Sequence, residues 1–264
     1  MDNNAFEKQM RSLEYFHNLR LLPGAWVVIR VDGRGFSRFT ESRYDKPFDL
    51  KFHKLMMQTA KALLEELQGI YAYTESDEIS VLFPTEWNLF DRSLEKIVSI
   101  SASIASATFT HAAQTTVNFD SRVWLGANKA QVLDYFRWRQ ADATRCALNG
   151  WCYWTLRKTG HSVAQATSAL HSKSVGFKNE LLFQQGINFN DLPAWQRRGT
   201  ALYWEEYEKE GYNPIQNQTV VVKRRRIKLD EDLPMKDAYQ ELIAHLLNAG
   251  QVEALPHLAD FLAV

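Results

Sequence analysis

Apolar and polar positions in the first third of the chain form two kinds of segment. Residues 25–31 are a short apolar, β-branched run, which predicts a buried strand, and residues 48–67 carry apolar side chains at helical spacing. Two further strand-like runs, 70–73 and 79–83, are joined by the polar segment 74–78, as in a hairpin. The pattern to this point is β, α, β, β.

A second helix and a fourth strand complete this unit. The spacing of residues 91–114 predicts the helix, and residues 117–125 predict a strand whose candidate core residues are Val117, Phe119 and Val123. The order βαββαβ is typical of the ferredoxin-like split unit, an antiparallel sheet with its helices on one face. We therefore predict an α+β fold.

The second half of the chain predicts an extension to this unit. Residues 131–158 have the pattern of one long helix, and residues 201–207 and 219–227 have the pattern of two hairpin strands. Residues from 234 onward predict a terminal helix pair. The extension is expected to pack on the βαββαβ unit.

Composition narrows the class of protein. The chain has 264 residues, 45% of them hydrophobic and 12% aromatic, which is enough to bury a full core. Its most apolar helical segment, 97–109, is too short and too rich in Ser to span a bilayer, and no signal-like start precedes it, so we expect a cytoplasmic protein without a membrane partner. Since the formal net charge is zero, any binding of nucleic acid must depend on local basic patches.

The two cysteines carry no predicted chemistry. Cys146 and Cys152 lie six positions apart in the predicted long helix, which places them on different faces. They are therefore neither a plausible disulfide nor a zinc pair, and we interpret them as buried small hydrophobic residues.

The first candidate functional segment follows the first strand. Asp32 ends that strand, and Gly33 and Gly35 let the backbone turn so that N–H groups face an anion while Asp32 faces a cation. Taken alone, an ordinary Asp-Gly turn explains these residues better. Neither a Walker A nor a Rossmann spacing is present.

The second candidate segment is Ser76-Asp77-Glu78, at the tip of the predicted hairpin. In a split βαββαβ unit this turn lies beside the end of the first strand, so Asp32 and Asp77 are expected to converge. Two carboxylates repel a nucleotide triphosphate by about 1 kcal/mol per charge pair at 4 Å in water, and by about 4 kcal/mol at an effective dielectric near 20. Mg²⁺ removes this repulsion and suits two Asp side chains with the Gly33 carbonyl, and two such ions would serve in-line attack at phosphorus. Without Asp32, a solvated turn would be the preferred interpretation.

Five segments carry motifs in a fixed order along the chain: residues 30–39, 73–83, 119–124, 134–142 and 178–183. Together they resemble the tRNA-histidine guanylyltransferase family of 3′-to-5′ polymerases over about residues 5–230. The resemblance implies a polymerase-type palm at 1–130 and a helical and β-hairpin extension at 131–264. It also implies a homotetramer that binds tRNA and nucleoside triphosphates, with two Mg²⁺ ions as cofactors and ATP or GTP as the activating nucleotide.

The same resemblance implies roles for individual residues. Asp32, the Gly33 carbonyl and Asp77 would hold the metal ions, with Asp77, Asp32 and Glu78 as catalytic residues and Ser76 in support. The residues Arg34, Gly35, Phe36 and Ser37 would contact the nucleotide through main-chain groups.

Three basic residues are implied to bind phosphate. Lys46 belongs to a Lys-Pro-Asn-Asp motif of the family, in which Phe48 replaces the Asn here. Arg92 and Lys96 lie four positions apart on the predicted second helix, hence on one face. Without the resemblance, an exposed amphipathic face would explain this second pair better.

A further set of residues is implied to face RNA: Arg139, Gln140, Arg145, Lys178, Asn179, Arg224 and Arg225. An ion pair between Arg139 and Asp142 within the helix explains the first position as well as RNA contact does. The basic run 223–228 is either an RNA-binding strand, which we favour, or a solvated hairpin. Trp138, Trp151 and Trp154 are interpreted as core or subunit-interface residues and not as stacking platforms.

Residues 144–150 decide between two branches of the family. Enzymes dedicated to tRNA-histidine carry His-Ile-Asn-Asn-Leu-Tyr-Asn here, whereas this chain has Thr-Arg-Cys-Ala-Leu-Asn-Gly. We therefore expect the repair-type branch, which adds nucleotides to the 5′ end of truncated tRNA under the direction of a template base. The alternative enzyme adds a single guanosine to tRNA-histidine. A nucleotide cyclase and a non-catalytic RNA-binding module are the alternatives from other classes.

Overall fold

The computed structural model describes residues 3–213 and 217–252. Its strands are β1 (Trp26–Gly33), β2 (Tyr71–Glu75), β3 (Glu78–Phe83), β4 (Phe119–Gly126), β5 (Thr200–Asn213) and β6 (Gln218–Asp230). Its α-helices are α1 (Asn3–Arg11), α2 (Phe36–Glu41), α3 (Leu50–Glu66), α4 (Leu94–Ala113), α5 (Lys129–Lys158), α6 (Val163–Leu170), α7 (Val175–Phe183), α8 (Ala194–Arg198) and α9 (Asp237–Val252).

All six strands belong to one antiparallel sheet with the order β4-β1-β3-β2-β5-β6. The first four strands, with α3 and α4, form the predicted ferredoxin-like unit, which confirms the α+β fold class. Val117 and Phe119 are buried as predicted, and Val123 is partly buried. The hairpin β5–β6 extends this sheet beyond β2.

Helices cover both faces of the sheet: α3 and α4 lie on one face of the βαββαβ unit, as predicted, and helices of the extension lie on the other. Successive residues of β1 alternate between the faces, so Val27 packs with the core under α3 and α4 while Val28 packs with the core under α5 and α9. Phe136 of α5 and Tyr239 of α9 are fully buried in this second core. One face of the unit thus keeps the ferredoxin-like helices, and the extension covers much of the other.

Local backbone chemistry sets the ends of α3 and α4. The Asp49 side chain accepts the backbone N–H groups of Lys51 and Phe52, so α3 begins at Leu50 and not at residue 48. Residues 90–92 all have φ near +55°, which no helix tolerates, so α4 begins at Leu94 and not at residue 91. The later start removes Arg92 from the helix.

The hairpin β5–β6 protrudes from the sheet. β2 pairs only with Thr200–Tyr203, whereas β6 accompanies β5 as far as the pair Asn213 and Gln218. Residues 204–213 and 218–227, which we call the hairpin arm, therefore extend about 30 Å beyond the last β2 pair. Both strands are longer than predicted, because the backbone pairing continues through mostly polar residues, in which apolar alternation gives no signal.

The remaining predictions concern the C-terminal end and the cysteines. α9 provides one helix of the predicted terminal pair, and the other falls in residues 253–264, outside the described part. Cys152 is buried as predicted, but Cys146 is exposed, because its position on α5 faces an open cavity and not the core. Across residues 3–213 and 217–252, no helix has the length and apolar character needed to cross a membrane.

Candidate active site

The end of β1 meets the turn between β2 and β3, as the sequence predicted. The Gly33 N–H donates to the Asp77 carbonyl oxygen at 3.0 Å, and Asp32 lies opposite Glu78 in the β1–β3 ladder. Burial, and then the charge of Asp32, raise the pKa of the Asp77 carboxyl above its ordinary value. The two aspartates are therefore close enough to repel each other.

A cation would relieve this repulsion. Burial and the neighbouring Asp120 also raise the pKa of Asp32, so both ionised aspartates lie where a positive charge is missing. Within the described residues, no group of three or more His, Cys, Asp or Glu side chains is placed to hold a metal. Two carboxylates and carbonyl oxygens fit Mg²⁺, which takes few protein ligands and fills its shell with phosphate oxygens and water.

Ser76 and Glu78 brace the turn that carries Asp77. Ser76 Oγ donates to Asp77 Oδ1 at 3.0 Å. Both Glu78 oxygens accept hydrogen bonds from Arg139, at 2.7 Å from Nε and 2.9 Å from Nη2. Because this bidentate pair occupies its carboxylate, Glu78 has a supporting position and not that of a direct metal ligand.

Arg139 is the centre of a buried network, which occupies the side chain predicted to contact RNA. Its guanidinium also donates to Glu75 at 3.1 Å and to Asp142 at 3.2 Å, and the side chain is 6% exposed. The alternative, a pair with Asp142 within α5, is confirmed but is only part of the network. Arg139 lies on the face of α5 that covers the sheet, where Glu78 needs a cation.

A cavity of about 400 Å³ opens beside Asp77. Of the predicted nucleotide-binding residues, it is lined by Phe36, Ser37, Lys46, Ser76 and Asp77. We call it the Lys46 cavity. Its aromatic and polar walls, next to two carboxylates that repel each other, are suited to a nucleotide.

Lys46 is the cation of this cavity. Burial lowers the pKa of its ammonium group, while the charges of Glu41, Asp77 and Asp49 act in the opposite direction. Its Nζ donates to Thr40 Oγ1 and lies 5.7 Å from the centre of the Trp154 ring. Phe48, which replaces the Asn of the family motif, lines the same cavity and contributes an apolar surface.

Sequence reasoning missed much of the cavity wall. Glu75 lines it, and burial, followed by repulsion from Glu78, raises its pKa to about 8. The second half of α5 supplies another wall, consisting of Ala143, Cys146, Ala147, Gly150 and Trp154. The spacing of three and four residues within that set is the signal that could have identified a shared helix face.

Among the main-chain groups predicted to contact the nucleotide, some already have a hydrogen-bond partner in the fold and others are open. The Arg34 N–H donates to the Asn118 carbonyl at 2.9 Å and is therefore already bonded, and Gly33 likewise donates to Asp77. These two N–H groups are therefore occupied, and contact with the nucleotide through the other main-chain groups of residues 34–37 stays a prediction. Gly35 precedes α2 with φ of +74°, and no side chain caps that helix, which leaves the first turn beside Ser37 open to an anion.

Arg92 and Lys96 do not form the predicted phosphate-binding face. Arg92 is buried, and its guanidinium donates to the carbonyl oxygens of Thr85, Trp87 and Ala25. These carbonyls lie in loops, where no neighbouring strand donates to them. Arg92 therefore supplies the hydrogen bonds that these buried backbone oxygens need. Ala25 precedes β1, about 23 Å along the strand from Asp32. Lys96 is exposed on α4.

The other predicted RNA contacts lie apart from Asp32 and Asp77. Gln140 is buried and donates to the Pro234 carbonyl, so its amide is occupied in the chain alone. Arg145 is exposed but paired with Asp142. The predicted residues of α7 are Lys178 and Asn179, and neither lines the Lys46 cavity.

Arg224 and Arg225 are exposed on the hairpin arm, about 19 Å across the sheet from β1. Charge on the arm is partly balanced, because Glu205 pairs with Arg226 at 2.7 Å and Glu206 lies 3.6 Å from Lys223.

Protein-family models match nearly the whole chain. A model described as tRNAHis guanylyltransferase matches residues 7–138, and one described as the Thg1 C terminal domain matches residues 130–243. A probable tRNA(His) guanylyltransferase of Mus musculus is 34% identical over 213 residues, which are 74% of this chain and 72% of that protein. The tRNA(His) guanylyltransferase of Debaryomyces hansenii is 33% identical over 229 residues, 80% of this chain and 86% of that protein.

Solved structures give the same result. A bacterial tRNA(His) guanylyltransferase (Thg1)-like protein in complex with GTP has a TM-score of 0.69 at 26% identity, over 92% of this chain and 99% of that one. A complex of such a protein with ATP aligns equally well. The tRNA(His) guanylyltransferase of Saccharomyces cerevisiae has a TM-score of 0.67 at 28% identity, over 74% and 91% of the two chains.

Proposed function

The chain belongs to the tRNA(His) guanylyltransferase family of nucleotidyltransferases, and from that premise we propose that it repairs the 5′ end of tRNA by template-directed 3′-to-5′ addition of nucleotides. The observation that carries the proposal is the convergence of Asp32 and Asp77 beside the Lys46 cavity. It supports phosphoryl transfer, because paired carboxylates next to a nucleotide-sized cavity serve a metal-bound triphosphate.

Each part of the site has a role in this proposal. Asp32, Asp77 and the Gly33 carbonyl hold Mg²⁺, which when bound neutralises the phosphates and favours ionisation of the attacking 3′-hydroxyl. Lys46 binds phosphate oxygens of the activating ATP or GTP from inside the cavity, and the open first turn of α2 faces the same region. The walls of the cavity orient the nucleotide for in-line displacement.

Residues 144–150 support the repair activity over the dedicated activity. In this chain the segment forms part of the cavity wall, through Cys146 and Gly150, and Thr144 donates to the Arg197 carbonyl of α8. The exposed long polar side chains of the segment are Arg145, which is paired with Asp142, and Asn149, so few groups remain to read a particular tRNA. Selection of the added base therefore depends on pairing with the template base.

The test compares three substrates with Mg²⁺ and all four nucleotides. A tRNA that lacks its first nucleotide should be extended faster than full-length tRNA-histidine, and sequencing of 5′ ends should show a base complementary to the opposing one. Changing that opposing base should change the nucleotide added. Addition of guanosine regardless of the opposing base would establish the dedicated enzyme instead. Cyclic product from labelled ATP or GTP without RNA would indicate a cyclase.

We also propose that the enzyme is a homo-oligomer, with four subunits expected. The support is an apolar surface on the N-terminal segment, where Phe6, Met10, Leu13 and Phe16 are each more than 40% exposed. Surfaces of this kind mark interaction sites more often than free surface. Light scattering of the wild-type chain and of a variant carrying Phe6→Ser and Leu13→Ser tests it, since a monomeric wild type would refute the proposal.

A further inference from the structure

A second aromatic surface lies on the open part of the sheet face that α5 covers. Trp138 of α5 is 52% exposed, although tryptophan is among the most apolar of side chains. With Trp124 and Tyr135 it lines a groove of about 280 Å³ whose polar rim includes Gln131 and Asp134. This groove is separate from the Lys46 cavity, with which it shares no lining residue.

The position of Trp138 is fixed by the network described above. The guanidinium carbon of Arg139 lies 4.5 Å from the Trp138 ring centre, and that of Arg30 lies 5.5 Å away. Tyr135 packs edge-on against the same ring at 5.8 Å. Because Arg139 is itself held by Glu78, the ring is positioned by buried groups while about half of it stays open to solvent.

Sheet register places this ring beside the candidate metal site. Arg30 and Asp32 lie two residues apart on β1 and point to the same face, so their rows are about 7 Å apart. Opposite them on the edge strand β4 lie Arg122 and Asp120, both about half exposed. Because Trp138 contacts Arg30, its ring is displaced from Asp32 by about this 7 Å along β1, a distance comparable to one nucleotide.

The charges next to the ring suit a nucleic-acid strand. Arg30 and Arg122 lie in one row; Arg30, which is beside the indole, also lies 3.6 Å from Glu78, and Arg122 is paired with Asp120 at 2.8 Å. Arg30 Nε is buried and has no hydrogen-bond partner in the described part of the chain. Aromatic rings flanked by arginine are the usual means of binding an unpaired base together with its phosphate.

We propose that Trp138 is a stacking platform for the 5′-terminal nucleobase of the RNA substrate. The inference rests on the proposed function, since it assigns the second substrate of the same site. Asp77 lines the Lys46 cavity, and Trp138 contacts Arg30, two residues before Asp32 on β1, so a nucleotide in the cavity and an RNA end on Trp138 would both present their reacting groups at the two carboxylates. Stacking fixes the terminal nucleotide without reading its identity, which suits an enzyme that repairs different tRNAs.

The experiment measures stacking directly. A tRNA lacking its first nucleotide is made with 2-aminopurine at its new 5′ end, and its fluorescence is followed on titration with the metal-free enzyme. Wild type and Trp138→Phe should quench the signal, whereas Trp138→Ala and Trp138→Leu should not. The same base analogue placed in the anticodon loop should respond equally to all four proteins.

Kinetics provide the second readout. Trp138→Ala should lower kcat/KM for RNA by about 5-fold to 100-fold, as loss of one base stack predicts, and Trp138→Phe should restore most of it. The Kd for ATP should be unchanged, because the nucleotide lies in the other cavity. Phe183→Ala, which removes a ring that is 69% exposed at the end of α7 and lines neither cavity, is the matched control and should behave as wild type.

The outcomes separate the two proposals. Terminal quenching that persists in Trp138→Ala would overturn the platform, even if wild type extends RNA. A loss of kcat/KM that Trp138→Phe does not restore, or a change of oligomeric state in Trp138→Leu with quenching retained, would assign the ring to packing or to a subunit interface. Quenching that depends on Trp138 in an enzyme that extends no RNA would support the platform and refute the proposed function.

Discussion

Gly33 donates its backbone N–H to the carbonyl oxygen of Asp77 at 3.0 Å, which joins the end of β1 to the β2–β3 turn. A side chain at position 33 is not tolerated, because a Cβ there would lie 2.4 Å from the Phe36 ring. The bond keeps Asp32 and Asp77 together in the absence of a cation. The site is therefore preorganised, and its main cost is the burial of two carboxylates, to which repulsion from neighbouring carboxylates adds.

Asp32→Asn and Asp77→Asn should each reduce nucleotide addition by at least about 100-fold, since each removes a charged metal ligand without changing side-chain volume. Both pKa values are raised in the folded protein, so the ionised carboxylates destabilise it at neutral pH. Urea unfolding in EDTA should show each variant to be at least as stable as wild type. Glu66→Gln, an exposed change on α3, is the control. Wild-type rates in either Asn variant would exclude the metal assignment.

Lys46→Met should raise the KM for the activating nucleotide by about 10-fold to 100-fold, because one charge-assisted hydrogen bond to phosphate is lost. The methionine keeps most of the apolar stem that lines the cavity. Lys54→Met, an exposed change on α3 outside the cavity, should leave KM unaltered. Steady-state kinetics at saturating RNA make the comparison, and an equal KM in both variants would remove Lys46 from phosphate binding.

Arg139→Ala should destabilise the fold by about 3–5 kcal/mol, because it leaves Glu78 and Glu75 buried without their cation. Arg145→Ala is a matched change on the same helix, at a side chain that is 69% exposed and shares Asp142. It should cost less than about 1 kcal/mol. Urea unfolding measures both values. If the two losses were similar and Arg139→Ala only weakened RNA binding, Arg139 would be a surface contact after all.

His53 should make stability depend on pH below neutrality. Its ring is stacked on Trp195 at 4.2 Å and lies 3.0 Å from Glu231, and burial lowers its pKa despite that carboxylate. The unfolded chain then binds a proton near pH 6.5 that the folded chain does not, so stability is lost as pH falls below that value. For one proton, the free energy of unfolding changes by at most about 1.4 kcal/mol per pH unit.

His53→Gln should flatten this dependence when urea unfolding is compared at pH 7.5 and pH 5.5. The difference between the two proteins isolates His53, since the other histidines are common to both. His171→Gln, an exposed change after α6, should keep the wild-type slope. A slope that is unchanged in His53→Gln would mean that the ring titrates alike in the folded and unfolded chains.

The sequence predicted those features of the site that depend only on the order of strands and helices. The convergence of Asp32 and Asp77 follows from the βαββαβ order, which places the end of β1 beside the β2–β3 turn whatever the side chains in between. The sequence did not predict that Arg92 and Arg139 are buried, nor which groups they bond. Local periodicity treats a charged residue as exposed, and it contains no information about loop carbonyls or carboxylates that need a buried cation. Those partners lie up to 67 positions away, as between Arg92 and Ala25.

The hairpin arm shares one hydrogen-bonded ladder with the active-site turn. β2 pairs on one side with β3, which carries the other end of the Asp77 turn, and on the other side with the base of β5. No flexible linker separates the two, and Tyr73 of β2 also donates to the Arg198 carbonyl just before β5. The sheet therefore fixes the distance between the arm and the active-site carboxylates, in addition to presenting a surface. An RNA that touches both the tip of the arm and the carboxylates must have a fixed length between those two points, so the sheet can measure the shape of a substrate whose sequence it does not read.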